Sequence, residues 1–276
     1  MRRFSQVNVF SSESYLGNPL AVVHDAQGLS DDEMHRFAHW TNLSETTFLL
    51  PPTDPGADYR IRIFTPSEEL SFAGHPTLGS AHAWLEAGGV PRVDGEVVQQ
   101  CPAGLVRVRR GGRLAFAAPP VVREGPVTGE ERDRLVRALA LSDDDVMDAR
   151  WIDNGPGWVG VLLRDADAVL AVRPDWTEFG DLEVGVVGRY PAGSECAVEV
   201  RAFCPSIGVV EDPVTGSLNA SVAQWLLASG RASVPYTASQ GTRLRRTGRI
   251  FISQDQAGAV WVGGKTSTLF SGESSF

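Results

Sequence analysis

Three polar side chains stand where acid/base chemistry on a small molecule could be done, Glu45, His75 and Asp212, and Ser217 stands where a small anion could be held. Glu45 lies in Asn42-Leu43-Ser44-Glu45-Thr46-Thr47-Phe48, just before an apolar strand, in a segment without Lys or Arg. A carboxylate at a strand entrance facing a dry cleft has its pKa raised and can act as a general base near neutrality. From these residues alone an exposed turn glutamate is the plainer reading, and the sequence leaves both open. His75 lies in Gly74-His75-Pro76-Thr77, and Asp212 and Ser217 lie in Asp212-Pro213-Val214-Thr215-Gly216-Ser217. Each of these loops closes a strand segment and opens a helix. A helix N-terminus presents unpaired N–H groups and a partial positive charge, so it attracts carboxylates. Gly74 and His75 from one side, and Thr215, Gly216 and Ser217 from the other, could hold a small anion, the glycines allowing close backbone approach. The structural alternative is an Asp helix cap and a helix-opening His.

Those loops belong to an internal repeat, the sequence's main clue to its architecture. Arg62-Ile63-Phe64-Thr65-Pro66 matches Arg201-Ala202-Phe203-Cys204-Pro205, and His75-Pro76-Thr77-Leu78-Gly79-Ser80 matches Asp212 to Ser217. Arg109-Arg110 and Gly112-Arg113-Leu114 match Arg245-Arg246 and Gly248-Arg249-Ile250. The offsets run from 136 to 139, and half of 276 is 138. The expected organisation is therefore two similar domains, 1–118 and 119–276. Pro119-Pro120 marks the boundary, because proline interrupts strand pairing. At the matching spacing Glu45 meets Leu182, so the second half does not obviously duplicate this acid.

Each half reads as short strands around one main helix. Capping boxes at Ser30-Asp31-Asp32-Glu33 and Thr128-Gly129-Glu130-Glu131 predict helices to about Trp40 and Leu139. The helix from Thr77 to about Ala87 is rich in small residues (Gly79, Ser80, Ala81, Ala83), so strands can pack closely around it. Its counterpart runs from about Gly216 to Ala228 and is ended by Gly230.

Composition narrows the function. The chain carries a net charge of -9, which argues against a nucleic-acid binder or a binder of acidic membranes. No apolar run approaches the ~20 residues of a membrane-spanning helix, and no signal peptide is legible. Cys101, Cys196 and Cys204 form no metal or disulfide pattern, which suits a reducing cytoplasm. His35 and His39 are spaced i,i+4 but lack the neighbouring acid of a metalloprotease helix. No nucleotide loop is present, so neither a cofactor nor a metal is expected.

Asn8-Val9-Phe10, Gly17-Asn18-Pro19, Leu43 to Phe48, Phe72 to Gly79 and Glu211 to Ser217 together resemble the PhzF family of phenazine-biosynthesis isomerase-like proteins. The resemblance implies an α+β protein of the diaminopimelate epimerase fold: two pseudo-symmetric domains, each a curved, mostly antiparallel, barrel-like sheet wrapped around a central helix, with the tail from about 260 to 276 returning to the first domain. It implies metal-free acid/base catalysis at the cleft between domains, with Glu45 removing a proton from one carbon and returning one to another. His75, Asp212 and Ser217 would orient the substrate. The Gly74 and Gly216 N–H groups would hold its carboxylate or an enolate-like charge, with Thr215, Ser44 and Asn18 as neighbours. A homodimer is implied. Leu218-Asn219 departs from the Ala-His of the phenazine enzymes, which leaves the small anionic substrate unnamed. A thiol-free epimerase and a non-catalytic metabolite binder are the rival readings.

Overall fold

The computed structural model describes residues 1–276 apart from the side chain of Ile207. Two compact units divide the chain: Met1–Ala117 with Val262–Phe276, and Ala118–Trp261. Along the first unit run β1 (Arg2–Val9), β2 (Asn18–Val23), α1 (Asp31–Thr41), β3 (Glu45–Leu50), β4 (Tyr59–Phe64), β5 (Glu69–Leu70), α2 (Gly74–Glu86), β6 (Glu96–Cys101), β7 (Gly104–Arg109) and β8 (Leu114–Ala117). The second holds β9 (Arg123–Pro126), α3 (Gly129–Ala138), β10 (Val146–Asp153), β11 (Trp158–Leu163), α4 (Ala166–Ala171), β12 (Glu183–Arg189), β13 (Val198–Cys204), β14 (Val209–Asp212), α5 (Gly216–Ala228), β15 (Tyr236–Gln240) and β16 (Gly248–Gln254). Then β17 (Val260–Gly264) runs through the junction, and β18 (Thr266–Ser274) pairs antiparallel with β1 in the first unit.

Strand pairing repeats with the sequence. In the first unit β1–β2 is antiparallel, β2–β3 parallel, β3–β4 and β4–β5 antiparallel, β4–β6 parallel and β6–β7 antiparallel. In the second the same series of directions links β10–β11, β11–β12, β12–β13, β13–β14, β13–β15 and β15–β16. Two copies of one topology explain the matched motifs at the level of hydrogen-bond pattern, beyond shared turn chemistry.

Each unit buries one helix almost completely. In α2 the residues from Gly74 to Ala81 are all buried, and in α5 those from Gly216 to Ala223. A helix enclosed on all sides must be apolar or small all round. At Gly79 a Cβ would lie 2.5 Å from Leu20 Cδ2, so the small side chain is what lets β2 approach. The outer face of the first sheet is covered by α1, whose Met34 and Ala38 pack on Val23, Phe48, Leu50 and Phe64. In the second unit Leu135 of α3 and Val169 of α4 share a core with Val159, Val184 and Phe203.

Both capping boxes form as expected, at Ser30/Glu33 and Thr128/Glu131. The expectation for α2 needs correcting. It begins at Gly74, three residues before Thr77, and takes His75 and Pro76 into its first turn. Proline is tolerated there because a first-turn N–H has no intrahelical acceptor to lose. The matched motifs consequently differ locally: His75 is helical, whereas Asp212 ends β14, before the Thr215 cap of α5.

Candidate active site

Three backbone ends meet in the first unit. Asn18 opens β2, Glu45 opens the parallel strand β3 opposite Leu20, and His75 lies in the first turn of α2. Glu45 is 9 % exposed, which excludes the turn-glutamate reading. Its Oε2 lies 3.5 Å from His75 Nε2. On the far side of the ring, Asn18 Nδ2 donates to His75 Nδ1 at 3.2 Å. An amide nitrogen can only donate, so Nδ1 is the acceptor and the neutral ring carries its proton on Nε2, toward Glu45.

Burial pushes the His75 imidazole down to about 3, far below its ordinary value. The ring is therefore neutral at physiological pH, and its contact with Glu45 is that of an N–H facing a carboxylate and not an ion pair. At 3.5 Å the contact is longer than a good hydrogen bond, a common state for catalytic groups before substrate binds. Ser44 is half-buried and precedes Glu45 directly. No side chain caps the first turn of α2 after Ala73.

In the second unit Thr215 donates its hydroxyl to Asp212 Oδ2 at 2.6 Å, while Gln240 Nε2 donates to Thr215 Oγ1 and to the Asp212 carbonyl. Gln240 Oε1 accepts from the Thr215 N–H and from Asn219 Nδ2. Asp212 is thus not the helix cap; that position belongs to Thr215, again without a side-chain cap. Ser217 follows Gly216 in the first turn of α5, where Trp158 Nε1 donates to its Oγ at 3.1 Å and Asn154 Nδ2 to its carbonyl. Gln240, Asn219, Trp158 and Asn154 were not singled out from sequence. In the sequence Asn219 stands out only as a departure from the family pattern.

Strand register also revises one reading. The position equivalent to Glu45 is Glu183, first residue of β12, which lies opposite Trp158 as Glu45 lies opposite Leu20. It is buried and accepts a hydrogen bond from the Ser206 hydroxyl. The second unit does carry an acid here; an offset of 137 misses it by one residue.

All three cysteines are buried and unpaired by disulfides. They lie at Cys101 in β6, at Cys196 and at Cys204 in β13, outside the first turns of α2 and α5. Burial pushes the Cys101 and Cys196 thiols up, away from the reactive thiolate. His35 of α1 packs edge-on against Phe64, and His39 is exposed, so the i,i+4 pair is a helix face.

This fold and site define an α+β protein of the diaminopimelate epimerase type. The phenazine biosynthesis-like protein family, PhzC-PhzF, matches residues 7–272, and the chain belongs to it. It is 34% identical over 99% of both chains to a trans-2,3-dihydro-3-hydroxyanthranilate isomerase of Pseudomonas aeruginosa. It is 37% identical to the antisense-enhancing sequence 1 protein of Schizosaccharomyces pombe, over 98% of each chain. Among solved structures, a PhzF-family protein of Bacillus anthracis superposes with a TM-score of 0.84 at 20% identity, covering 100% of this chain and 99% of that one. The enzyme class that goes with this membership is isomerase. No helix among the described residues is long and apolar enough to cross a membrane.

Proposed function

We propose that the chain isomerises a small carboxylate-bearing metabolite by moving a proton between two carbons, with Glu45 as the shuttle. The Glu45 carboxylate takes a proton from an acidic C–H, and the electron pair left behind delocalises toward the substrate's unsaturated, carboxylate-bearing part. The Glu45 acid then returns the proton at a second carbon, and a double bond has shifted with no atom gained or lost. The observation that carries the reading is the Glu45 carboxylate facing the Nε2 of a buried, neutral His75. A neutral imidazole donor can polarise a developing negative charge without protonating it outright. Asp212, Thr215 and Ser217 are assigned to substrate binding and orientation, the Gly74 and Gly216 N–H groups to holding its anionic end, and Asn18 to fixing the His75 ring. The likeness to the Pseudomonas isomerase favours a double-bond shift over inversion of a stereocentre, and the placement of the cysteines argues against a thiol epimerase. We further propose a cytoplasmic homodimer acting without cofactor or metal.

The test is a library of small unsaturated carboxylates incubated in deuterated water and followed by NMR. Deuterium entering a C–H position, with a product of shifted double bond, is the expected result. Exchange that inverts a stereocentre with the double bond in place would assign the epimerase reading instead. Ligand binding with no exchange at all would leave a non-catalytic binder.

A further inference from the structure

Beyond the residues assigned to catalysis, one stripe of α5 lines a cavity of about 380 Å³ in the second unit, walled on its other side by β9 and β10. Ser221, Gln224, Trp225 and Ala228 form that stripe, at i, i+3, i+4 and i+7. Three buried polar atoms on it have no hydrogen-bond partner among the described residues: Ser221 Oγ, Gln224 Oε1 and Trp225 Nε1. Ser221 is 1 % and Trp225 5 % exposed, so an unmet polar atom there is costly. A helical serine can return its hydroxyl to the carbonyl four residues back, as Ser229 does to Trp225; Ser221 does not. Gln224 Nε2 donates to the Pro119 carbonyl at 3.0 Å, which fixes the amide and presents Oε1. A Cβ on Gly160 would lie 2.8 Å from Trp225 Cζ3, so that edge of the indole is seated on β11 and Nε1, on the opposite edge, is turned away from it.

The duplication shows how the space arises. Both α2 and α5 have 13 residues, and both are followed by a glycine N–H on a carbonyl three residues back, Gly88 on Leu85 and Gly230 on Leu227. So aligned, His82 and Glu86 stand where Gln224 and Ala228 stand. In the first unit both are met by β18: His82 Nδ1 is 3.1 Å from Thr266 Oγ1, and Glu86 accepts from the Thr268 hydroxyl. Along β1, β18 has nine residues, whereas its counterpart β9 has only four along β10. The short strand leaves the α5 stripe uncovered. The wall opposite supplies one charge of each sign. Glu124 of β9 lies opposite Ile152, and Arg150 precedes Ile152 by two residues on the same face of β10. Ile152 Cδ1 and the Trp225 ring crowd the same side of Gly160, so this face looks toward α5. Neither Arg150 nor Glu124 has an ion-pair partner among the described residues.

We propose that this cavity binds a free α-amino acid with an apolar side chain, as its zwitterion. Arg150, the Trp225 N–H and the Ser221 hydroxyl meet the carboxylate, and the Gln224 carbonyl and Glu124 meet the ammonium. The apolar side chain lies against Val121 and Ile152. A ligand with a single charge would leave either the donors or the acceptors unmet. Gln224 and Trp225 follow Ser217 by seven and eight residues, a rise of about 10–12 Å along α5, so the cavity is apart from the assigned catalytic residues. The proposal does not depend on the isomerase chemistry.

The Trp225 indole gives a local readout. The intact protein, ¹⁵N-labelled at its seven tryptophans, shows their indole N–H groups by NMR, and Trp225→Phe assigns the signal. The probes are L-leucine and L-phenylalanine, with 3-phenylpropanoate and 2-phenylethylamine as single-charge analogues at matched ionic strength. A saturable shift of the Trp225 signal by at least one amino acid is expected. Both analogues should bind about tenfold or more weakly than the amino acid, and so should that amino acid to Arg150→Gln, the worth of one charge-assisted hydrogen bond. Glu45→Gln should bind it as wild type does. No saturable shift with either amino acid, or an analogue that binds as tightly, would overturn the proposal. So would unchanged affinity in a folded Arg150→Gln protein, or loss of the shift in Glu45→Gln.

Discussion

Glu183 stands in the second unit where Glu45 stands in the first: each opens a buried strand parallel to its neighbour, Glu45 facing an imidazole and Glu183 a hydroxyl. Glu45 Oε2 is 3.5 Å from His75 Nε2, whereas Glu183 accepts a hydrogen bond from the Ser206 hydroxyl. The duplicated backbone has thus been given a polarising ring in one copy and a hydroxyl in the other. Glu45→Gln should lower the deuterium-exchange rate by about 10²–10⁴-fold, the usual worth of a general acid/base. Glu183→Gln keeps an oxygen that can accept from Ser206 and should stay within about tenfold of wild type. Equal, deep losses in both variants would make Glu183 a second base and retire the single-shuttle reading.

His75 makes a stability prediction with a definite sign. Its pKa is about 3 in the folded protein and near 6.5 when unfolded, so the unfolded chain binds the extra proton across that window. The favourable state is complete above about pH 6.5 and is lost as pH falls toward 3, at a slope of up to about 1.4 kcal/mol per pH unit. His24 and His82 are also lowered by burial and add slopes of the same sign, so the measurement is a difference. Urea unfolding at pH 7 and pH 4.5 should show a smaller acid loss for His75→Gln than for wild type. Equal losses would mean that His75 is not held neutral.

The Asn18 contact fixes which ring nitrogen carries the proton. With the amide donating to Nδ1, ¹⁵N NMR of the imidazole should report a neutral ring protonated at Nε2. Asn18→Asp replaces a donor with an acceptor, which favours a proton on Nδ1 and turns a bare Nε2 lone pair toward Glu45. The expected outcome is a tautomer change in the spectrum together with a fall in kcat that exceeds any rise in KM. A fall in kcat with the tautomer unchanged would assign Asn18 some other part in the reaction.

The repeat was legible because its carriers are residues with strict backbone or charge roles, such as Arg62, Pro66, Gly79 and their partners. The two capping boxes were legible because both members lie within four residues. What escaped is long-range pairing. The bonds of Gln240 to Thr215 span 25 residues and that of Trp158 to Ser217 spans 59, and no local pattern marks either. Glu183 escaped for a different reason: motif offsets drift between 136 and 139, and strand register alone resolves one residue. The α2 start escaped because Gly74-His75-Pro76 looks like a loop, and only burial of those residues against the sheet makes the extra turn worth forming.

Gly79 separates propensity from packing. Glycine to alanine inside a helix ordinarily gains about 1 kcal/mol. Here the added methyl would lie 2.5 Å from Leu20 Cδ2 and 3.0 Å from Val9 Cγ2, both on fully buried side chains. Overpacking of that kind costs about 1–3 kcal/mol, so Gly79→Ala should lower the unfolding free energy. A stabilised variant would show that β1 and β2 can retreat from α2.

The duplicated Arg–Glu pair gives a matched test of burial. Arg62 holds Glu69 through two bonds of 2.7 and 2.6 Å, and Arg201 holds Glu211 through two of 2.9 Å. Each guanidinium also sits over a phenylalanine two residues on, Phe64 or Phe203. The surroundings differ: the Arg62 and Glu69 side chains are 23% and 29% exposed, those of Arg201 and Glu211 only 5% and 12%. Arg62 also keeps Asp31 at 2.5 Å, whereas Arg201 has only the carbonyls of Val169 and Val172 besides Glu211 among its described hydrogen bonds. Neutralising the acid therefore leaves a solvated, still-paired charge in one unit and a buried, unpaired one in the other. Glu69→Gln should cost about 1 kcal/mol or less, and Glu211→Gln about 3 kcal/mol or more. Chemical denaturation of the two variants measures the gap directly; equal costs would mean that water reaches Arg201 far more freely than its packing against α4 allows.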